Sequence, residues 1–196
     1  MQTVEHHSEI LEPALDALTG ALTRSSFVVL LNEQAAAAAR SGSVFSLCLV
    51  DLDRLRNIND ARGASVGDQV LAGLAARLRS VLDAPAWHRS EYLFGRHDGG
   101  ALAVLARPCS ANQAEMLAEA VRFGVAEHPL AQNVNATVSI GVAQHRIGES
   151  IDALLGRAES ALHLAKQFGR DRVEVARTPP ARPERAKVVG IHDRRG

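Results

Sequence analysis

Apolar positions along this chain keep two rhythms that take turns. In one they recur every three or four residues, as on the buried side of a helix. In the other they form a short unbroken run, as in a strand covered on both faces. Ile10, Leu11, Ala14, Leu15 and Leu18 keep the first rhythm and predict a lead-in helix over 8–19. A second helix is predicted over 25–40, where the run from Ala35 to Ala39 favours helix and Ser41-Gly42-Ser43 stops it. Residues 44–51 switch to the second rhythm and are too few for a helix, so they predict a central strand. A short helix over 53–61 ends near Gly63; Val70, Leu71, Leu74, Leu78, Val81 and Leu82 then share one face of a helix over 68–82. Strands over 88–95 and 101–107 are joined by the turn His97-Asp98-Gly99-Gly100, because Asp-Gly tolerates the positive φ of a tight hairpin. A helix over 111–127 turns Met116, Leu117, Ala120 and Val121 inward, and a strand over 135–144 follows. A helix over 150–168, capped by Ser150, and a short strand over 172–175 complete the pattern. Strands alternating with helices, plus one hairpin, make this an α/β protein with a mixed central β-sheet flanked by helices.

Composition narrows this to one ordinary domain with short extensions. The chain has 196 residues, 46% of them hydrophobic. We divide it into a lead-in helix over 1–15, a domain over 16–176 and a Pro- and Arg-rich disordered tail over 177–196, with no second catalytic domain expected in this chain. Lys plus Arg total 22 and Asp plus Glu total 22. A net charge of zero argues against a general nucleic-acid or anionic-membrane binder. The two cysteines, Cys48 and Cys109, make no disulfide framework, and Cys48 reads as a buried strand residue. There is no apolar run of transmembrane length and no basic stretch ahead of an apolar one at the N-terminus, so a cytoplasmic protein is expected.

Several short motifs carry candidate chemistry. Asp51-Leu52-Asp53 ends the predicted central strand, where a carboxylate is placed either for a ligand or to cap the next helix. Asn57-Ile58-Asn59-Asp60 and Gly67-Asp68 follow, then Asp98-Gly99-Gly100-Ala101-Leu102 in the hairpin. Ser139-Ile140-Gly141-Val142-Ala143 and the stretch from Ala161 to Arg170 lie downstream. In order and spacing these resemble the GGDEF domain from about Asp16 to Val173. That is the diguanylate cyclase family, which condenses two GTP into cyclic di-GMP.

The resemblance implies a nucleotidyl-cyclase-like sheet and a set of roles. Asp51 matches the family's side-chain metal ligand, Leu52 gives its backbone carbonyl, and Asp53 is left structural. Asn59 and Asp68 match the pair that hydrogen-bonds guanine; an amide and a carboxylate can together satisfy its O6, N1–H and N2–H groups. Without the resemblance, Asn59 reads as a helix-end residue and Asp68 as an N-cap. Arg56, Lys166 and Arg170 match cationic phosphate contacts; alone they read as solvated charges.

The acidic positions of the name-giving motif are Gly100 and Ala101, or Ala101 and Leu102 if the register shifts, and neither register leaves an acid. One carboxylate does not readily hold two magnesium ions about 3.5–4 Å apart. Asp98 is the nearby candidate for rescue, or simply makes the turn. Leu55, Ala64, His163 and Glu159 replace a common aromatic, His, Tyr and Asp, while Asp16, Leu18, Thr19, Gly20 and Arg24 keep the opening motif, with an Asp16–Arg24 pair expected. Of the family's inhibitory product site, Arg-x-x-Asp, Arg89 remains and Tyr92 stands where the acid should be.

The chain therefore reads as a degenerate GGDEF domain without cyclase activity. It is expected to bind GTP weakly or to engage a protein partner, with a weakened Mg2+ site. Alternatives are a weakly active cyclase using Asp51 with Asp98, and a cyclic di-GMP receptor through Arg89. The erased acids rank the first reading above the second and Tyr92 ranks it above the third, so cyclic di-GMP is not the expected ligand; homodimer formation stays open.

Overall fold

Strand β1, Ser46–Leu52, is the axis around which the domain is arranged. The computed structural model describes residues 13–131 and 133–176. Helix α1 (Arg24–Ser41) precedes β1; α2 (Leu55–Arg62) and α3 (Ala64–Leu82) follow it. Then come the hairpin strands β2 (Glu91–Asp98) and β3 (Ala101–Arg107), α4 (Ala111–Ala126), β4 (Val138–Gln144), α5 (Ile151–Gln167) and β5 (Val173–Val175). The sheet order is β2-β3-β1-β4-β5, with β1 antiparallel to both neighbours and β5 parallel to β4.

Alternation along β1 sorts the core into two layers. Cys48, Val50 and Leu52 join Val70, Leu74, Leu117 and Val121 beneath α3 and α4. Leu47 and Leu49 join Leu31, Leu154 and Ala158 beneath α1 and α5. The odd-numbered face of β1, and with it Asp51, therefore looks toward α5.

The helices begin where the sequence supplies a cap. Thr23, Ser110 and Ser150 each accept a backbone N–H in the first turn of α1, α4 and α5, and Gln113 completes a capping box on α4. Ser150 thus holds the cap predicted for it.

Several elements depart from expectation. Residues 8–12 of the predicted lead-in helix, like the tail over 177–196, lie outside the described residues. Residues 13–19 are not helical. Asp16 accepts from both the backbone N–H and the hydroxyl of Thr19, closing a turn, and Leu22 then runs parallel along β2. Leu22 donates to Phe94 O at 3.1 Å and accepts from Arg96 N at 2.7 Å.

Helix α3 starts at Ala64, not at 68, because Gly63 (φ 87°) makes the whole break after α2. On α4, Met116 is exposed while Ala114, Leu117, Ala118, Val121 and Val125 face the core. A 3-10 turn at Pro85–Trp87 delays β2 to Glu91, and β2 then runs on to Asp98. The hairpin turn is therefore Gly99-Gly100 alone, and Asp98 ends the strand instead of making the turn.

Candidate functional site

Asp51 sits one residue from the end of β1, on the face toward α5, and is partly buried. Lys166, in the last turn of α5, places its ammonium 2.9 Å from Asp51 Oδ1. Two of the sequence-singled residues thus form an ion pair. Asp53 faces the same way but is fully committed. Its carboxylate accepts from Thr137 Oγ1 (2.7 Å), Ser139 Oγ (2.7 Å) and the Asp171 amide (3.1 Å). It locks the end of β1 to β4 and to the turn after α5, a structural role, as expected.

The hairpin tip lies directly against this strand end. The Leu52 amide donates to Gly100 O at 3.3 Å, and Ala101 is the register partner of Asp51. Residues paired directly across an antiparallel ladder project to the same face, so the side chain beside Asp51 is the methyl of Ala101, 3% exposed. A side chain at Gly100 would have to move Leu55: a Cβ there would lie 2.8 Å from Leu55 Cδ2, the free end of that side chain. Leu55 fills the space in which a side chain at position 100 would root.

Asp98 pairs with Ala101, after a register shift between Arg96 and Asp98. The bulge turns Asp98 to the face of Asp51, two strands away. Strands lie about 4.7–4.9 Å apart and side chains stand roughly perpendicular to the sheet, so the two carboxylates root about 10 Å apart. One ion needs its oxygens at about 2.0–2.1 Å. Among the described residues no three His, Cys, Asp or Glu side chains converge to hold a metal. The protein's own donors therefore do not fit a two-metal centre.

On the other side of the tip, α2 and α3 form a V hinged at Gly63. Leu55, Arg56, Asn59, Gly67, Asp68 and Gly100 line a cleft of about 390 Å³ there. This brings together Arg56, Asn59 and Asp68. Because α3 begins at Ala64, Asp68 lies in its second turn, exposed, and does not cap the helix. Asn59 Oδ1 is buried with no hydrogen-bond partner.

Two expected residues lie elsewhere. Arg170 (φ 68°) lines a separate cleft of about 560 Å³ on the opposite face of α2, with Arg54, Arg62 and Asn57. Arg89 is exposed in the turn before β2. Tyr92, at the product-site acid position, is part-buried and donates its hydroxyl to Trp87 O at 3.1 Å; burial raises the phenol's pKa. Glu91 pairs instead with Arg107 at 3.0 Å.

Sequence reasoning passed over Arg96 and His97. Arg96 donates to Gly99 O and pairs with Asp16 at 3.5 Å, so Asp16 is tied to the hairpin and not to Arg24. The Thr19 hydroxyl, more than Arg96, holds the Asp16 carboxyl below the usual carboxylate range. His97 Nε2 lies 3.1 Å from Glu159 on α5. Both contacts join residues far apart in the chain, which a sequence does not display.

The family described as "Diguanylate cyclase, GGDEF domain" matches residues 13–172. This chain belongs to the GGDEF family. Its relatives include the diguanylate cyclase DgcM of Escherichia coli K12, 38% identical over 82% of this chain and 38% of DgcM. The crystal structure of the GGDEF domain of DgcB from Caulobacter crescentus, in complex with cyclic di-GMP, superposes with a TM-score of 0.76 at 28% identity, over 84% of this chain and 96% of that one. Diguanylate cyclase SiaD of Pseudomonas aeruginosa, in complex with its activator SiaC, gives 0.75 at 30% identity, over 82% and 61% of the two chains. This GGDEF chain spans about a third of the length of the curated relatives it matches.

Among the described residues, no helix of this GGDEF domain is long and apolar enough to cross a membrane.

Proposed function

We propose that this chain is a catalytically silent GGDEF domain that binds guanine nucleotides weakly and serves as a regulatory, partner-engaging module in cyclic di-GMP signalling. The observation that carries the reading is the pairing of Asp51 with Ala101. The place beside the strand-end carboxylate holds a methyl group. Phosphoryl chemistry depends on cations that neutralise and align the reacting oxygens. Here one carboxylate remains, and its nearest cation is the Lys166 ammonium. Magnesium would enter with the nucleotide's own phosphates, not through a protein-built pair of sites.

Nucleotide binding survives in this reading because Asn59, Asp68 and Arg56 still share one cleft, and Lys166 offers a further cation beside Asp51 at the strand end. A base pocket with cationic phosphate contacts and no metal clamp corresponds to dissociation constants of about micromolar to millimolar. A protein partner accords with the SiaD complex, whose activator is a protein.

Two assays test the reading. Purified protein with GTP and magnesium or manganese should give no cyclic di-GMP above a no-enzyme control by chromatography. Calorimetry should show GTP binding more tightly than ATP. Product formation overturns the first claim, and absence of heat with millimolar GTP removes the second.

A second reading, slow cyclisation using Asp98, draws on the bulge that turns Asp98 to the face of Asp51. Turnover that disappears in Asp98→Ala would replace our reading with it. Arg89 lacks its acidic companion, so cyclic di-GMP should bind poorly; a submicromolar constant abolished by Arg89→Ala would make the protein a receptor.

A further inference from the structure

Asn59 and Gly67 stand symmetrically about the hinge of the V. The Gly63 amide bonds back to Asn59 O at 2.8 Å, and the Gly67 amide bonds back to Gly63 O at 3.3 Å. Each is therefore one helical turn from the hinge, on the inner side. The consequence is close contact. A Cβ on Gly67 would fall 1.7 Å from Asn59 Oδ1 and 2.8 Å from its Cγ. No side chain fits there while Asn59 holds its place.

The amide's orientation follows. Its Oδ1 is buried without a partner. An unpaired buried acceptor is a cost to folding, and no bond within the domain repays it. With the carbonyl end pressed over Gly67, the amino end faces the cleft that Asn59 lines, and the Asp68 carboxylate is the next position along α3. The cleft thus presents a donor beside an acceptor. Guanine offers the complement, an acceptor O6 beside the donors N1–H and N2–H. Adenine offers its amino group where guanine has O6, which sets donor against donor.

We infer that Gly67 is a specificity-determining positioning residue: by having no side chain it fixes which end of the Asn59 amide faces the ligand, and so selects guanine over adenine. The inference rests on the nucleotide-binding reading above. Gly67 lines the cleft with backbone alone, so its effect on base choice is exerted through Asn59.

The experiment uses the full chain, titrated calorimetrically with GTP, ATP and inorganic tripolyphosphate. The wild type is expected to prefer GTP by about tenfold, a modest value for a partly open site. Gly67→Ala should bring the two nucleotides to within about twofold, because an unmade polar match is what separated them. Its tripolyphosphate affinity should be unchanged, since the phosphate contacts are untouched. Its melting temperature should hold or rise, because the amide can rotate away and alanine favours helix over glycine.

Asn59→Asp supplies an independent variant of equal shape. It replaces the donor with an acceptor and should shift preference toward ATP. If the wild type shows no GTP preference, the nucleotide reading fails and takes this inference with it. If the wild type prefers GTP and folded Gly67→Ala keeps that preference, Gly67 is not the selector and the nucleotide reading stands. If Asn59→Asp keeps full GTP preference, the assigned orientation of the amide is wrong.

Discussion

Gly100 and Leu55 both depart from the family pattern and lie side by side, with Leu55 Cδ2 2.8 Å from where a Cβ on Gly100 would stand. An acid restored at position 100 must displace that leucine. Overpacking costs about 1–3 kcal/mol, toward the low end when the obstacle is the free end of a side chain. Gly100→Glu should lower stability in urea by about 1 kcal/mol, and Leu55→Ala in the same chain should recover most of it. Strictly additive effects of the two changes would show that the contact is not felt. Ala101→Glu should cost more, because position 101 is buried opposite Asp51 and would set a second carboxylate beside the first. The missing acids were legible in the sequence. Their replacement by a packed leucine was not, because Leu55 and Gly100 are distant in the chain and each looks innocuous alone.

At the scale of elements, α5 is stitched to the sheet at both ends. Near its start, Arg157 bonds Glu149 through Nε (2.7 Å) and Nη2 (2.6 Å) and reaches Gln144 O on β4 at 2.7 Å. Near its end, Lys166 holds Asp51. Burial pushes the Glu149 carboxyl up, but Arg157 and the Arg146 amide together pull it below its ordinary value. A carboxyl lowered in the native state stabilises it fully above the unfolded value near 4.5. That stabilisation is lost as pH falls through the lower native value. Glu149→Gln should therefore cost about 2 kcal/mol at pH 7. The gap from wild type should close as pH drops below 4.5. Urea midpoints across that range check this, and a gap unchanged at pH 3 would refute it.

The alanine run of α1, the periodicity of α4 and α5 and the apolar run of β1 were enough to place those elements. The start of α3 was not. Ala64-Ser65-Val66-Gly67 contains weak helix formers, and Asp68 imitates a cap. The glycine at 63 settles the matter by taking a positive φ. The bulge at the end of β2 also escaped, since nothing in Arg96-His97-Asp98 announces an extra residue.

Taken whole, the molecule has a sheet with two edges. One is β5, only three residues long. The other is β2, eight residues long, and its outer side is partly occupied by Leu22, which exchanges backbone hydrogen bonds with Phe94 and Arg96. An uncovered edge of that length is a template on which other chains can add as strands. The opening turn around Asp16 and Thr19, which leads Leu22 onto that edge, should therefore also guard against self-association. A chain shortened by residues 1–22 keeps Thr23 to cap α1 and every strand, yet presents β2 bare. We expect its mass by light scattering to climb with concentration while that of the 196-residue chain stays constant. If the shortened chain remains monodisperse, the guard lies elsewhere. With the edge bare, a domain boundary drawn at the first helix, the natural place to cut for expression, produces a protein that keeps its strands and yet self-associates.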